Sequence, residues 1–277
     1  MDGRLQLRVQ RYGWDRASEC YEGLWSNALA PATRRLLHLA GLQSGERVLD
    51  VACGSGVLTR AALAEVGPQG EVVGSDLSSG MVAVAQATSP GCLFVRADAQ
   101  ELAGVVQQSH FDVVLCGLGL MYMPDPEASI AAMAACLRPG GRLVVSVWGE
   151  RSACGWSGVF PIVDARVQSE VCPLFFRLGG RDALHAALAG VGLAQVHTER
   201  IATKIEYPDA LMACDAAFVG GPVALAYGRF DAPTQEAVRD EYLDSIKPWS
   251  HEDGFSLPGE FVLGMAVCAQ DPTLNRS

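Results

Sequence analysis

Val48-Leu49-Asp50-Val51-Ala52-Cys53-Gly54-Ser55-Gly56 is the stretch whose reading decides the fold. A buried strand runs into a glycine-rich turn, and a helical pattern follows from Leu58 to Val66. Gly54 and Gly56 let the backbone turn sharply and approach a ligand with no Cβ in the way. The helix just beyond them offers free N–H groups. Taken alone, the stretch says that a nucleotide-like ligand binds at a strand–turn–helix.

Similar units continue outward from it. Arg47–Val51 is the first of five short apolar runs; the others are Glu71–Asp76, Cys92–Ala97, Phe111–Cys116 and Arg142–Trp148. Helix-like segments separate them at Leu58–Val66, Met81–Ala87 and Ala128–Leu137. Short buried strands alternating with helices predict βαβ units and a parallel sheet. Arg138-Pro139-Gly140-Gly141 ends the last of these helices, because Pro cannot continue it and Gly supplies the turn. Before the first strand, Ala30–Ala40 has helical spacing, with Pro31 expected in its first turn. Gly41 and Gly45 frame the loop into that strand.

The second half is less regular. Trp156–Glu170 and Arg181–Leu188 read as helices, Ala194–Tyr207 as extended, and Asp209–Ile246 as helices broken near Gly220-Gly221-Pro222. Phe261–Ala269 is the last strand candidate. No repeat, low-complexity tract or linker divides the chain. Residues 1–150 are therefore read as N-terminal helices plus the ligand-binding half, and 151–277 as a helical cap and the last strands of the same domain.

The 277 residues are 49% hydrophobic and carry a formal net charge of -10. An acidic surface repels phosphate backbones, so nucleic acid is not an expected partner. No run approaches the ~18 apolar residues of a membrane span, and Met1–Arg11 has no apolar block of the signal-peptide kind. The nine cysteines are scattered from Cys20 to Cys268 with no CxxC pair. That spacing suits reduced thiols in a cytoplasmic protein, not a disulfide framework or a metal site.

The spacing of acidic residues sharpens the ligand. Asp76 ends the second strand, where a carboxylate can accept bonds from both hydroxyls of a ribose. Asp98, in Arg96-Ala97-Asp98-Ala99-Gln100, follows the third strand and can accept from an adenine amino group. Three strand ends, each with an Asp, line the carboxyl edge, where open α/β sheets bind ligands. A dinucleotide is the rival reading. Against it, Thr59 stands where the third small residue of GxGxxG belongs, and Asp50 would sit unfavourably beside a pyrophosphate. S-adenosylmethionine (SAM) has no phosphate but carries an ammonium and a sulfonium, so Asp50 suits it.

The runs Arg47–Thr59, Val72–Val84, Arg96–Leu102, Phe111–Asp125 and Leu137–Gly149 resemble, in order, the motifs of class I SAM-dependent methyltransferases. They are most similar to the group named for ubiquinone and menaquinone biosynthesis. The resemblance covers residues 10–150 well and the remainder in outline. It implies a Rossmann-like three-layer α/β sandwich with a seven-stranded, mostly parallel sheet whose last strand is reversed, plus a helical cap.

It also implies roles. Asp50, Ala52, Gly54 and Gly56 would hold the methionine part of SAM. Asp76 and Leu77 would meet the ribose, and Met81 the adenine. Asp98 and Ala99 would contact the base. Cys116 and Gly117 would face the reacting methyl, and Tyr21 or Trp25 would help close the site. Two positions depart from the pattern: Ala52 replaces the first glycine of the acidic-x-Gly-x-Gly-x-Gly motif, and Gly117 stands where relatives often have Gln.

These readings point to methyl transfer from SAM to a small apolar or aromatic molecule. The alternatives are a non-methylating SAM-binding protein and a macromolecule methyltransferase. The latter is disfavoured because Cys116-Gly117-Leu118-Gly119 replaces the Asp/Asn-Pro-Pro-aromatic run of enzymes that methylate nucleic-acid amino groups. The candidates to meet the acceptor are Tyr122 and Trp148, which follow the fourth and fifth strands, and His251, in a turn before the last strand. His38, His110, His185 and His197 read as ordinary surface or satisfied histidines.

Overall fold

Apolar, β-branched runs buried on both faces dictate the centre of the molecule. Residues 3–168 and 170–269 are described by the computed structural model. Five strands, β1 (Arg47–Val51), β2 (Glu71–Asp76), β3 (Leu93–Arg96), β4 (Phe111–Gly117) and β5 (Leu137–Trp148), pair in parallel. The second half adds β6 (Ala194–Tyr207), the two-residue β7 (Ser250–His251) and β8 (Gly254–Val267). The order is β3-β2-β1-β4-β5-β8-β6, with β7 hairpinned onto β8. β8 runs antiparallel to β5, β6 and β7. The expected seven-stranded sheet with a reversed last strand is present, and β7 is the one addition.

Ten helices flank the sheet among the described residues. α1 (Gly3–Ala17) and α2 (Tyr21–Ala40) precede it; α3 (Val57–Val66), α4 (Ser79–Thr88) and α5 (Pro126–Cys136) connect its strands. α6 (Val159–Asp164) and α7 (Ala183–Gly190) lie between β5 and β6, and α8 (Ala210–Phe218), α9 (Ala224–Tyr227) and α10 (Ala232–Ile246) between β6 and β7. α2 packs on α3, and α5 on α7, giving layers on the two faces of the sheet. Side-chain caps start the helices where the sequence offers them. Ser78 accepts from Met81 N–H at α4, and Asp125, Asp209 and Asp231 do the same for α5, α8 and α10.

Three expectations are corrected. Pro31 lies inside α2, because that helix starts at Tyr21, nine residues before Ala30, where its apolar pattern placed the start. Trp25, Ala28, Ala32 and Leu36 form one buried stripe through it, and burial of that stripe outweighs the cost of a mid-helix proline. Trp156–Glu170 is a short 3-10 turn (Gly155–Gly158) followed by α6, not one helix; Ser169 lies outside the described residues. β5 begins at Leu137, before the Pro-Gly-Gly run. Leu137 pairs with Phe111 and Arg142 with Val113, so the run bulges out of the ladder.

All nine cysteines are free thiols, six of them buried. Among the described residues, no helix is long and apolar enough to cross a membrane.

Candidate functional site

Because β1 connects to β2 on one side and the chain then crosses to β4 on the other, the strand order reverses at β1. Open α/β sheets bind ligands at such a point, beyond the carboxyl ends of the strands. A cavity of about 740 Å³, mouth included, opens there.

Its floor is the glycine turn. Ala52, Gly54 and Gly56 all take left-handed backbone, with φ of 58°, 54° and 85°. Glycine adopts this at no steric cost, whereas Ala52 carries strain of about 1 kcal/mol. The next wall explains why an alanine fits. A Cβ added to Gly119, after β4, would come 2.6 Å from the Cβ of Ala52. The two loops therefore share one methyl group between them.

Asp76 fixes the turn from the side. Its Oδ2 accepts from the Gly54 N–H at 2.9 Å and its Oδ1 from the Ser78 N–H at 2.8 Å. Each carboxylate oxygen keeps a second lone pair for a ligand. Burial raises the Asp76 carboxyl, and these backbone bonds counteract that. Asp50 lies behind the turn and is fully buried. Thr59 Oγ1 donates to its Oδ2 at 2.6 Å, while its Oδ1 has no partner among the described residues. Burial pushes its carboxyl up to about 7; the Thr59 bond lowers it and the nearby Asp76 charge raises it. The Ser55 hydroxyl, at the entrance to α3, is also buried without a partner among the described residues.

Leu77, Met81, Asp98 and Ala99 form the far wall of this cavity. α1 closes it from above with Gln10 and Trp14. Asp15 holds that helix in place: its Oδ1 accepts from Ser78 Oγ at 2.6 Å and from Gly80 N–H at 3.0 Å, at the start of α4. Among the described residues, no Lys, Arg or His lines the cavity, while Asp76 and Asp98 do.

A second hollow of about 600 Å³ continues past Gly54 and Ser55 to the N-terminal end of α3. A third, of about 310 Å³, lies toward the cap. Tyr21 and Leu118 line all three. Leu118 has φ of 58°, a strained geometry for a branched residue that marks the junction as a site under constraint. Aromatic rings dominate the third chamber. Trp148 stands 4.8 Å from Trp156 and 6.4 Å from Trp25, between ring centroids. Tyr122 stands 5.0 Å from Trp14 and 5.4 Å from Phe175. Burial raises the Tyr21 and Tyr122 phenols above their ordinary range.

The description "methyltransferase domain" is that of the family whose profile matches residues 48–141. That match places a methyltransferase domain at residues 48–141 of the chain. The chain is 38% identical over 126 residues to the ubiquinone/menaquinone biosynthesis C-methyltransferase UbiE of Pseudomonas paraeruginosa, a stretch covering 43% of this chain and 48% of that one. The match thus spans about half the length of such curated relatives. YcgJ of Bacillus subtilis superposes with a TM-score of 0.61 at 16% identity, over 87% of this chain and all of that one. The [4+2]-cyclase SpnF superposes with a TM-score of 0.56 at 19% identity, over 89% and 83%. At such identities the likeness concerns the fold alone, and one fold hosts many chemistries.

The structure gathers most of the residues read from sequence. Tyr21, Ala52, Gly54, Asp76, Leu77, Met81, Asp98, Ala99 and Tyr122 reach the edge cavity, and Trp25, Tyr122 and Trp148 the aromatic chamber. Others stand off the walls. Asp50 is behind the turn. Gly56 caps α3, tight against α4: a Cβ there would meet Ser89 Oγ at 2.9 Å. Cys116 is buried beneath Gly119, its thiol pushed up to about 12 by burial. His251 is exposed in β7, its Nδ1 accepting from the Asp253 N–H at 3.3 Å, and reaches none of the three hollows. Sequence reading missed Gln10 and Trp14. The signal available for them was Tyr12-Gly13-Trp14-Asp15, aromatic and acidic residues shortly before the first glycine turn.

Proposed function

We propose that the chain transfers a methyl group from SAM to a small, apolar or aromatic acceptor. One observation carries this reading: the edge cavity presents Asp76 and Asp98 and, among the described residues, no cationic side chain. Such a wall suits a cationic nucleoside and opposes a pyrophosphate. Asp50 Oδ1 and the Ser55 hydroxyl at the glycine turn, unpartnered among the described residues, support the same fit. When bound, SAM supplies a methyl already activated on a sulfonium. Asp76 would hold its ribose, Leu77 and Met81 would flank its adenine, and Asp98 would meet the adenine amino group. The start of α3, with its free N–H groups, would take the carboxylate of the methionine end. Asp50 would act through the turn as a buried negative charge.

The aromatic chamber then serves the acceptor. Its walls exclude water and set orientation, which is the main task left to the protein when the methyl is pre-activated. Among the described residues the chamber walls carry no carboxylate, imidazole, amine or thiol. Tyr21 and Tyr122, held protonated by burial, are poor bases. The acceptor atom must therefore be nucleophilic without help from a side-chain base. The formal charge of -10 disfavours a nucleic-acid acceptor.

The test is transfer of radiolabelled methyl from SAM to a panel of electron-rich aromatic and enolic small molecules, with bulk RNA and protein as parallel acceptors. Label in the small-molecule fraction is expected. Label confined to RNA or protein would replace this reading with macromolecule methylation. SAM binding with no transfer across the panel would favour a non-methylating role.

A further inference from the structure

Trp156 is the largest fully buried side chain, and its Nε1–H has no hydrogen-bond partner among the described residues. A buried donor left unpaired is costly, and native structures rarely keep one without a reason. The neighbouring indole shows the usual solution: Trp25 Nε1 donates to the Ala216 carbonyl at 3.2 Å.

Trp156 cannot easily turn to find a similar partner. It sits in the Gly155–Gly158 turn, and both glycines are wedged. A Cβ on Gly155 would come 2.8 Å from Pro258 of β8, and one on Gly158 would come 2.9 Å from Ser245 Oγ of α10. The rings of Trp148, Phe175 and Trp25, at 4.8, 5.5 and 5.9 Å between centroids, surround the indole. The same ring is a wall of the aromatic chamber. The fold thus fixes an unpaired donor beside a hollow made of flat, apolar surfaces.

We propose that Trp156 is a specificity-determining residue: its indole N–H donates to an oxygen carried by a planar apolar acceptor in the aromatic chamber. This rests on reading that chamber as the acceptor side, and it narrows the substrate class. Stacked and edge-on rings accommodate a flat conjugated system. A site built around one buried donor rejects the analogue that lacks the matching acceptor atom, because the donor is then left unpaired. The step is binding only; no bond is made or broken at Trp156.

The experiment uses the full chain labelled with 15N at the indole nitrogens. The Trp156 Nε1–H signal is identified by its loss in Trp156→Phe. Two probes of similar outline are titrated: chromone, a planar bicyclic ketone, and naphthalene, which has no oxygen. The expected result is a downfield shift of the Trp156 signal with chromone but not with naphthalene, and binding of chromone tighter by about tenfold. In Trp156→Phe the two probes should bind within about twofold of each other. An unmoved Trp156 signal, equal preference in the wild type, or binding of neither probe overturns the proposal. If the variant does not fold, the Trp156 signal is assigned by its nuclear Overhauser contacts to the Trp148 and Phe175 rings, and the wild-type titration decides alone. SAM titrated into the same samples separates the two readings. Wild type that fails to bind SAM but shows the chromone shift contradicts the methyltransferase reading and not the role of Trp156.

Discussion

The carboxyl edge of β1–β4 and the aromatic chamber touch at Tyr21 and Leu118, yet they are built by different rules. The edge is made largely of backbone turns and of carboxylates at the ends of consecutive strands, its glycine turn and acidic residues lying within residues 50–99. The chamber is made of side chains brought from Trp14, Trp25, Tyr122, Trp148, Trp156 and Phe175, spread over more than half the chain. The edge therefore specifies a ligand by backbone geometry and strand-end charge. The chamber can be rebuilt by exchanging single rings. One methyl donor with many acceptors is the consequence expected of such a division.

If the division is right, the edge should fail without the chamber. Asp76→Ala should weaken SAM binding by about a hundredfold or more, about 2.7 kcal/mol. It removes the ribose acceptor and also strands the Gly54 and Ser78 N–H groups that its carboxylate now holds. Calorimetry reads the affinity. Denaturant titration should show a further loss of about 1–3 kcal/mol in stability for the stranded donors.

The shared methyl space between the two loops gives a second break. Gly119→Ala should destabilise the protein by about 1–3 kcal/mol, because its Cβ collides with that of Ala52. Ala52→Gly removes the collision and relieves a left-handed alanine. It should be neutral or mildly stabilising alone and should rescue part of Gly119→Ala. The rescue is partial because Cys116 Sγ also lies 2.9 Å from the new Cβ. A double-mutant cycle by thermal unfolding measures the coupling, and strictly additive effects would refute the contact.

A third test uses the sign of a proton. The Asp50 carboxyl stands at about 7 in the fold, above its ordinary value of about 4 in an unfolded chain. Its contribution to stability is therefore complete below pH ~4 and is lost as pH rises through about 7. The slope is at most about 1.4 kcal/mol per pH unit. Asp50→Asn should flatten that part of the unfolding profile of the cofactor-free protein. Binding of a cation runs the other way, since it favours the carboxylate. SAM affinity should rise between pH 6 and 8 in the wild type and lose that dependence in Asp50→Asn. The smallest effect belongs to His251→Ala, which should leave SAM affinity and turnover unchanged within about twofold; a large loss would place β7 in the site after all.

The same division governed what could be read from the sequence. β1 and β2 were legible to the residue, because their buried runs end in glycine or in Asp76. Asp76 and Asp98 were legible through position alone, and Tyr21 only through the family resemblance. α1 was not. Its buried face is Gln6, Gln10, Gly13 and Ala17, so hydrophobic periodicity is silent there. With the helix went Trp14, which closes the edge cavity. Trp156 was placed within a long helix because its neighbours are apolar, and the two wedged glycines that break that helix show their meaning only in contact with β8 and α10. His251 drew attention as a histidine in a turn, and nothing local revealed that β7 faces away from all three hollows.

The central claim is that the edge cavity holds SAM, and calorimetric titration of the wild-type chain with SAM and, separately, with NAD tests it most directly. SAM is expected to bind in the micromolar range, about -8 kcal/mol, with no measurable heat from NAD. Binding of NAD by the folded chain, with none of SAM, would contradict it.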